Sequence, residues 1–477
     1  MPARFVLHIT PIPFRPPETF FPTLAARPYA LWLDSALPST DFGCYAYLAC
    51  DPFRVLRVTD GVAYVDGVSR SGNPWQVIAA EWRRYFLPRQ PGLPPFQTGM
   101  AGFFGYEMGR YLESVPVPPA DVALPDAVLG FYDVVLAFDL VKERAWVLAS
   151  GWPAEEDASR QRRAAARASQ MLAWLDAPAP LNAVATIPHI PVPRSDFSRQ
   201  TYQQAVARVR EYILAGDIFQ ANLSQRFSAP VPDGYPVDTL YRRLRMQNPA
   251  PYAGYFHFGD GVIASASPER FLRLDAGSVD TRPIKGTRPR GSTPQEDRSL
   301  AAELLASEKD RAENTMIVDL LRNDLSRVCA PGTVHVPRLC GLESYATVHH
   351  LVSTVNGALE PGRDALDLLM AAFPGGSITG APKIRAMEII AALEPHPRGA
   401  YCGSLGYVAF DGDMDTSILI RTLVFAGGRV FFSAGGGVVA DSDPQAEYRE
   451  TLDKARALFT VLGAKWHGEC ERMQAPT

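Results

Sequence analysis

Apolar and polar residues alternate in short runs through the first third of the chain. "RVLRVTDGVAYVDG" (54–67) and "GFYDVVLAFDLVKERAWVLAS" (130–150) change character every residue or two and break at polar turns, the pattern of half-buried strands joined as hairpins. At 155–175 the period changes. "EEDASRQRRAAARASQMLAWL" is rich in helix formers, and Met171, Leu172 and Leu175 give it an apolar edge, so a helix is predicted after the strands. Residues 176–198, "DAPAPLNAVATIPHIPVPRSDFS", hold five prolines and no amphipathic period, which predicts a linker. The expected organisation is an α+β region over 1–175, this linker over 176–198, a larger region over 199–465 and a tail over 466–477.

Beyond the linker, "SRQTYQQAVARVREYILAGD" puts Ala205, Val206, Val209, Tyr212 and Ile213 on one helical face and stops at Gly216. A helix over 308–328, "EKDRAENTMIVDLLRNDLSRV", has an apolar stripe of Met316, Ile317, Leu320 and Leu321, which Glu313 continues. Another over 443–459 starts at Asp443, a suitable cap, with Pro444 in its first turn; Glu447 and Glu450 share a face beside Tyr448, Leu452, Ala455 and Phe459. "DTSILIRTL" (415–423) predicts one strand with Arg421 on the side of Leu419 and Leu423. Strands and helices mix without regular β-α alternation and without an internal repeat, so the fold class is α+β with largely antiparallel sheets.

The chain has 477 residues, 47% of them hydrophobic and 21% charged, enough for a large core and one to three domains. Net charge is −4 and the arginines are scattered, so the basic stripe of a nucleic-acid binder is missing. The apolar run in "MPARFVLHITPIPFRPP" is too short for a signal h-region or a membrane span; a cytoplasmic protein is expected. The six cysteines form no C-x-x-C and no zinc-ligand spacing, and read as free thiols.

Candidate chemistry gathers in a few polar stretches. In "RPIKGTRPRG" (282–291) Lys285 sits in a turn stiffened by Pro283 and Pro289 and opened by Gly286; it is either a solvated basic loop or, with Glu269 of the upstream "ASPERF", a catalytic pair. Glu313 is either half of a surface i,i+4 pair or an inward, ion-binding carboxylate. If Glu313 and Glu450 converge, their hard oxygens suit Mg²⁺ bridging to an anionic substrate. "SAGGGVVADSD" (433–443) offers the amides of Gly435, Gly436 and Gly437 to an anion. "FPGGSITGAPKIRAMEII" (373–390) is a second glycine-rich turn entering a helix, with Ser377, Thr379, Lys383 and Arg385, but its spacing is not that of a nucleoside triphosphate loop. Arg421 can clamp a carboxylate or form a structural ion pair, and His350 reads as a hydrogen-bonded core residue.

Together these stretches resemble the chorismate-utilising enzymes. The resemblance runs in order from about 216 to 451, through "GDIFQANLSQRF", "SASPERF", "RPIKGTRPRG", "EKDRAENTMIVDLLRNDLSRV", "VHHLVS", "FPGGSITGAPKIRAMEII", "CGSLGY", "MDTSILIRTL" and "SAGGGVVADSDPQAEYRET". "PYALWLDSA" and "GFFGYEMGR" resemble the family's N-terminal half more loosely. The resemblance implies two largely antiparallel sheets packed as a central sandwich with helices outside. Water-adding members carry lysine where this chain has Gln220, and anthranilate-forming members usually read Pro-Ile-Ala-Gly where it reads Pro-Ile-Lys-Gly; Lys285 is similar to the mark of the aminodeoxychorismate synthase branch. That branch implies Lys285 as nucleophile on chorismate and Glu269 as general acid and base. It implies Mg²⁺ on Glu313 and Glu450 with Glu447 adjacent. Tyr401, Arg421, the amides of Gly435 and Gly437, and Lys454 would receive carboxylates, while Gly286, Thr287, His350 and Ser377 would line the ring pocket. The product would be 4-amino-4-deoxychorismate, a precursor of p-aminobenzoate and folate. Ammonia is the second substrate, and no cysteine sits in a glycine-flanked nucleophile turn, so a separate glutamine amidotransferase subunit is the implied partner. Anthranilate formation is the alternative within the family, and the full set of acids, glycines and Lys285 argues against a catalytically silent subunit. Tryptophan binding by the N-terminal half, through "LWLDSA" (31–36), is left open.

Overall fold

The computed structural model describes residues 7–37, 43–176, 186–345 and 348–464. Its strands form two sheets of twelve strands each, and every strand pair in them is antiparallel. The two sheets share one hydrophobic core that runs from Leu7 to Ala464, with helices covering their outer sides.

The hairpins expected in the first region are present: Arg54–Thr59 pairs with Val62–Val65, and Val134–Asp139 with Arg144–Ala149. In the first of these, alternate residues are buried and the others are partly exposed, as period-two patterning requires; Val134–Asp139 is instead buried along its whole length, because both of its faces are covered, so the half-buried pattern expected there is not what the fold makes of it. Strands from either side of the proline-rich stretch then meet in both sheets. Leu31–Asp34 pairs with Tyr252–His257 in one, and Gly99–Phe104 with Ser404–Ala409 in the other. The stretch around 176–198 is therefore crossed by continuous sheets and a common core; residues 177–185 of it, and the tail at 466–477, lie outside the described residues.

The helices form where capping and periodicity predict them. Asp157–Asp176 follows the first set of strands. Arg199–Leu214 is capped by Ser198, whose hydroxyl accepts from Thr201 N at 3.1 Å, and the chain leaves it at Gly216 with φ +84°. Glu308–Ser326 buries Asn314, Ile317, Val318, Leu321 and Leu325, so its inward face is turned slightly from the predicted stripe, leaving Met316 and Leu320 at the edge. Pro444–Val461, capped by Asp443, buries Glu447, Thr451, Ala455, Leu458 and Phe459 rather than Tyr448 and Leu452.

The single strand expected over 415–423 is two strands. Met414–Ile418 belongs to one sheet and Thr422–Ala426 to the other, and the chain crosses between them at Leu419–Arg421. Arg421 makes the crossing with φ +53°, which ends the alternation that would have set it beside the leucines.

Candidate active site

The fourteen residues to which the family resemblance gives roles line one cavity of about 590 Å³: Glu269, Lys285, Gly286, Thr287, Glu313, His350, Ser377, Tyr401, Arg421, Gly435, Gly437, Glu447, Glu450 and Lys454; Thr379, Lys383, Arg385 and Gly436, also singled out in the sequence, do not. Both sheets contribute to it, as do the helices Glu308–Ser326 and Pro444–Val461.

Lys285 reaches the cavity through a break in strand register. The strand Ile284–Pro289 pairs with Val348–Ala358, but the pairing shifts between Ile284 and Thr287. Lys285 and Gly286 occupy that bulge, and Gly286 takes φ +84° there. A Cβ on Gly286 would also lie 3.0 Å from Asp310 and from Leu304. The bulge redirects one side chain without moving the strand.

Ser377 joins the amine and the acid. Lys285 Nζ donates to the Ser377 carbonyl oxygen at 2.9 Å, and Ser377 Oγ donates to Glu269 Oε1 at 2.6 Å. Glu269 is buried at 5% exposure, and that burial pushes its carboxyl up to about 7 against the opposing pull of Ser377 and Lys285. Burial likewise lowers the Lys285 amine from its ordinary value; Lys454 adds to the lowering, while Glu313, Glu269 and Glu450 oppose it. The neighbouring arginines are not among the main causes of this depression, and each meets an acid. Arg282 meets Asp280, Arg290 meets Asp297, and Arg288 meets Glu303 and Asp310.

The cavity's opposite wall is cationic at one end and acidic at the other. Arg421 donates to the Lys454 carbonyl at 2.5 Å and has its basicity lowered by burial. Lys454 Nζ donates to the Gly435 carbonyl at 2.9 Å and meets Glu450 Oε1 at 2.6 Å. Burial alone would raise Glu450, but the charge and hydrogen bond of Lys454 together with the charges of Lys309 and Lys285 outweigh it and hold the carboxyl below its ordinary value. Glu447 accepts from Ser442 Oγ at 2.7 Å and is raised by burial, as is Glu313. His350 Nδ1 lies 2.8 Å from Thr287 Oγ1, and burial followed by the Arg421 charge pushes the imidazole down to about 4, so it is neutral at physiological pH.

A Cβ on Gly436 would lie 3.1 Å from Glu447 Oε2 and 3.3 Å from Glu450 Oε1, so both carboxylates overhang the same bare stretch of strand. Among the described residues no three His, Cys, Asp or Glu side chains are gathered closely enough to form a closed metal cage. The donor set fits Mg²⁺, which takes one or two protein carboxylates and fills its remaining positions with water and ligand oxygens.

Asn222, Arg288, Lys309 and Asp310 also line the cavity and were not singled out in the sequence. Lys309 stands one helical turn before Glu313, at 4.0 Å from its Oε1, which i,i+4 spacing could have signalled. Behind the wall lies a buried hub. Arg398 donates to the carbonyls of Asn222 (2.6 Å) and Ile378 (2.9 Å) and to both oxygens of Glu394, and Glu394 in turn accepts from Ser224. Lys383 points away from the cavity, to Asp324 Oδ2 at 2.7 Å and the Ala372 carbonyl at 2.8 Å, so it is a structural cation. "LWLDSA" borders a separate cavity of about 270 Å³, lined also by Tyr252, Arg270 and Tyr407.

A family model described as chorismate binding enzyme matches residues 33–460. The chain belongs to the family of chorismate-binding enzymes. It is 45% identical over 421 residues to anthranilate synthase component 1 of Thermus thermophilus, covering 86% of this chain and 87% of that one. It is 41% identical over 463 residues to aminodeoxychorismate synthase component 1 of Klebsiella aerogenes, covering 94% and 98%. Among solved structures, anthranilate synthase component I of Streptococcus pneumoniae superimposes with a TM-score of 0.79 at 34% identity over 88% of this chain and 92% of that one. The menaquinone-specific isochorismate synthase of Escherichia coli shares the fold, with a TM-score of 0.72 at 19% identity over 97% and 96%. Among the described residues no helix is long and apolar enough to cross a membrane.

Proposed function

We propose that this chorismate-binding enzyme converts chorismate and ammonia into 4-amino-4-deoxychorismate, the precursor of p-aminobenzoate and folate, through a covalent adduct on Lys285. The observation that carries the reading is the Ser377 bridge, which ties a half-buried amine of lowered basicity to a buried carboxyl poised near neutrality. A nucleophilic lysine has to be neutral at working pH, and a general acid has to be protonated there; burial drives both groups in the required directions.

In the first step the Lys285 nitrogen forms a bond to C2, the two conjugated ring double bonds shift around the far side of the ring, and the C4–O bond breaks. Glu269 gives its proton to the departing hydroxyl, which leaves as water. In the second step ammonia forms a bond to C4, the electrons shift back, and the C2–N bond breaks to free the Lys285 amine. Glu269, now a carboxylate, takes the surplus proton from the new amine.

Arg421, Lys454 and the amides of Gly435 and Gly437 would hold substrate carboxylates, with Tyr401 beside them. Gly286, Thr287 and His350 would border the ring. Glu313 and Glu450, with Glu447 adjacent, would hold Mg²⁺, which when bound supplies positive charge against a substrate carboxylate. Ammonia would come from a separate glutamine amidotransferase subunit, a partner suggested by the "component 1" in the relatives' names.

Anthranilate formation is the second reading, favoured by the 45% identity to an anthranilate synthase. Mass spectrometry of the product from chorismate, Mg²⁺ and an ammonium salt near pH 8.5 separates the two. The proposal predicts an amine in place of a hydroxyl with the enolpyruvyl group retained; anthranilate with released pyruvate would establish the second reading.

A further inference from the structure

Two pieces of the cavity wall are joined by a side chain that does not itself line the cavity. The short turn Gly376–Ile378 carries Ser377, and the strand Gln220–Pro230 carries Asn222. Arg398, only 7% exposed, donates from Nη1 to the Ile378 carbonyl at 2.9 Å and from Nη2 to the Asn222 carbonyl at 2.6 Å. Its Nε and the second hydrogen of Nη2 go to Glu394, at 2.9 and 2.7 Å. Ile378 follows Ser377 directly, so the carbonyl that Arg398 holds is next in the chain to the one on which Lys285 rests. The strand also reaches the turn's far end by itself, through the Asn222 N–H and the Thr379 carbonyl at 2.7 Å.

Burying an arginine with a glutamate gains little stability over apolar side chains of the same size, because desolvation offsets their attraction. A planar fork of donors does what apolar packing does not: it fixes the directions of the carbonyls it binds. The arginine is in turn held from behind by the first region of the chain. Glu107, on the turn Tyr106–Tyr111, accepts the Arg398 N–H at 2.8 Å and the Gly399 N–H at 2.9 Å. The Tyr106 N–H donates to the Gly399 carbonyl at 2.8 Å, and the Tyr106 ring lies 4.7 Å from the guanidinium carbon.

We infer that Arg398 is the positioning residue of the Lys285–Ser377–Glu269 bridge, its guanidinium pinning the Ser377 turn to the strand Gln220–Pro230 and Glu107 seating the arginine. This rests on the reading that Lys285 and Glu269 do the chemistry. Ser377 has to offer its carbonyl to Lys285 and its hydroxyl to Glu269 at once, so a small rotation of the turn breaks one contact or the other. Groups that act together in a chemical step tolerate little displacement. Arg398 touches neither reacting group and acts through the backbone that carries Ser377.

The test is the pH dependence of steady-state turnover, with chorismate, Mg²⁺ and ammonium chloride, in the full chain carrying Arg398→Lys. Lysine keeps a positive charge for Glu394 but lacks the fork that spans two carbonyls. The kcat should fall by about tenfold or more while the KM for chorismate changes by less than about threefold, because the bridge acts in the chemical step. The acid limb of kcat should also move up by on the order of half a pH unit, since a Lys285 amine that loosens toward water regains basicity and loses its proton only at higher pH. A lower unfolding temperature with kcat and the acid limb unchanged would overturn the inference and leave Arg398 a purely structural residue. If Arg398→Lys fails to fold by circular dichroism, Glu107→Gln serves in its place, since it spares the guanidinium's partners and disturbs only the two amides that seat it. The same upward move in smaller measure is expected there, and an unaltered profile would count against the assignment. Full turnover in Lys285→Ala would instead refute the underlying reading, so the two failures are told apart.

Discussion

Lys285 and Glu269 are separated in sequence by two strands and the turn between them and meet through Ser377, which comes from far downstream. The residue types were legible early, because a lysine in a proline- and glycine-marked turn and an acid before an apolar step invite the question of catalysis. Their perturbation was not, because it arises from burial created by the whole wall. Glu269 gives a direct handle on this. With its carboxyl near 7 in the folded chain against an ordinary 4.5, its contribution to stability is fully present below pH 4.5 and is lost as pH rises through 7. Glu269→Gln cannot ionise and keeps what the carboxyl loses. The variant should match the unmodified chain near pH 4.5 and exceed it at pH 8 by on the order of 1–3 kcal/mol, while losing turnover. Urea unfolding at the two pH values checks this, and a difference independent of pH would show that Glu269 is not strained by burial.

At the scale of elements, periodicity found the helices and capping residues found their ends, since both signals are local. Arg421 shows where local reading stops. Its sequence reads as one continuous strand, yet the chain changes sheets at Leu419–Arg421, a decision made by how two sheets pack. The helix Pro444–Val461 shows the same limit: Glu447 is buried because Ser442 and the glycine strand receive it, which no apolar stripe announces. The bulge at Lys285–Gly286 is the element on which the site depends most. Gly286→Ala would impose a Cβ at φ +84° and within 3.0 Å of Asp310 and Leu304. The expected cost is about 1–2 kcal/mol of stability, with a much larger loss of kcat as the bulge shifts and Lys285 turns away. Thermal unfolding and steady-state kinetics measured together decide this; equal and small effects on both would mean that the bulge does not aim the lysine.

For the whole molecule, the proline-rich stretch marked a change of composition, and the sheets run across it. Leu31–Asp34 and Gly99–Phe104 supply strands that the larger region needs to complete both sheets, so the cavity rests on a core to which the entire chain contributes. Pairings over such sequence separations leave no local trace, whereas the resemblance to a family brought them in as a unit. Family membership sets chorismate as the ligand, and the nearest chemical distinction left is whether Lys285 bonds to it. The measurement that reaches this most directly is intact-protein mass spectrometry of the full chain incubated with chorismate and Mg²⁺ in the absence of ammonia. The account predicts a species heavier by chorismate less one water, localised by peptide mapping to Lys285, absent from Lys285→Ala and discharged on adding ammonium. An unmodified protein mass under those conditions, with anthranilate appearing once ammonium is supplied, would contradict it.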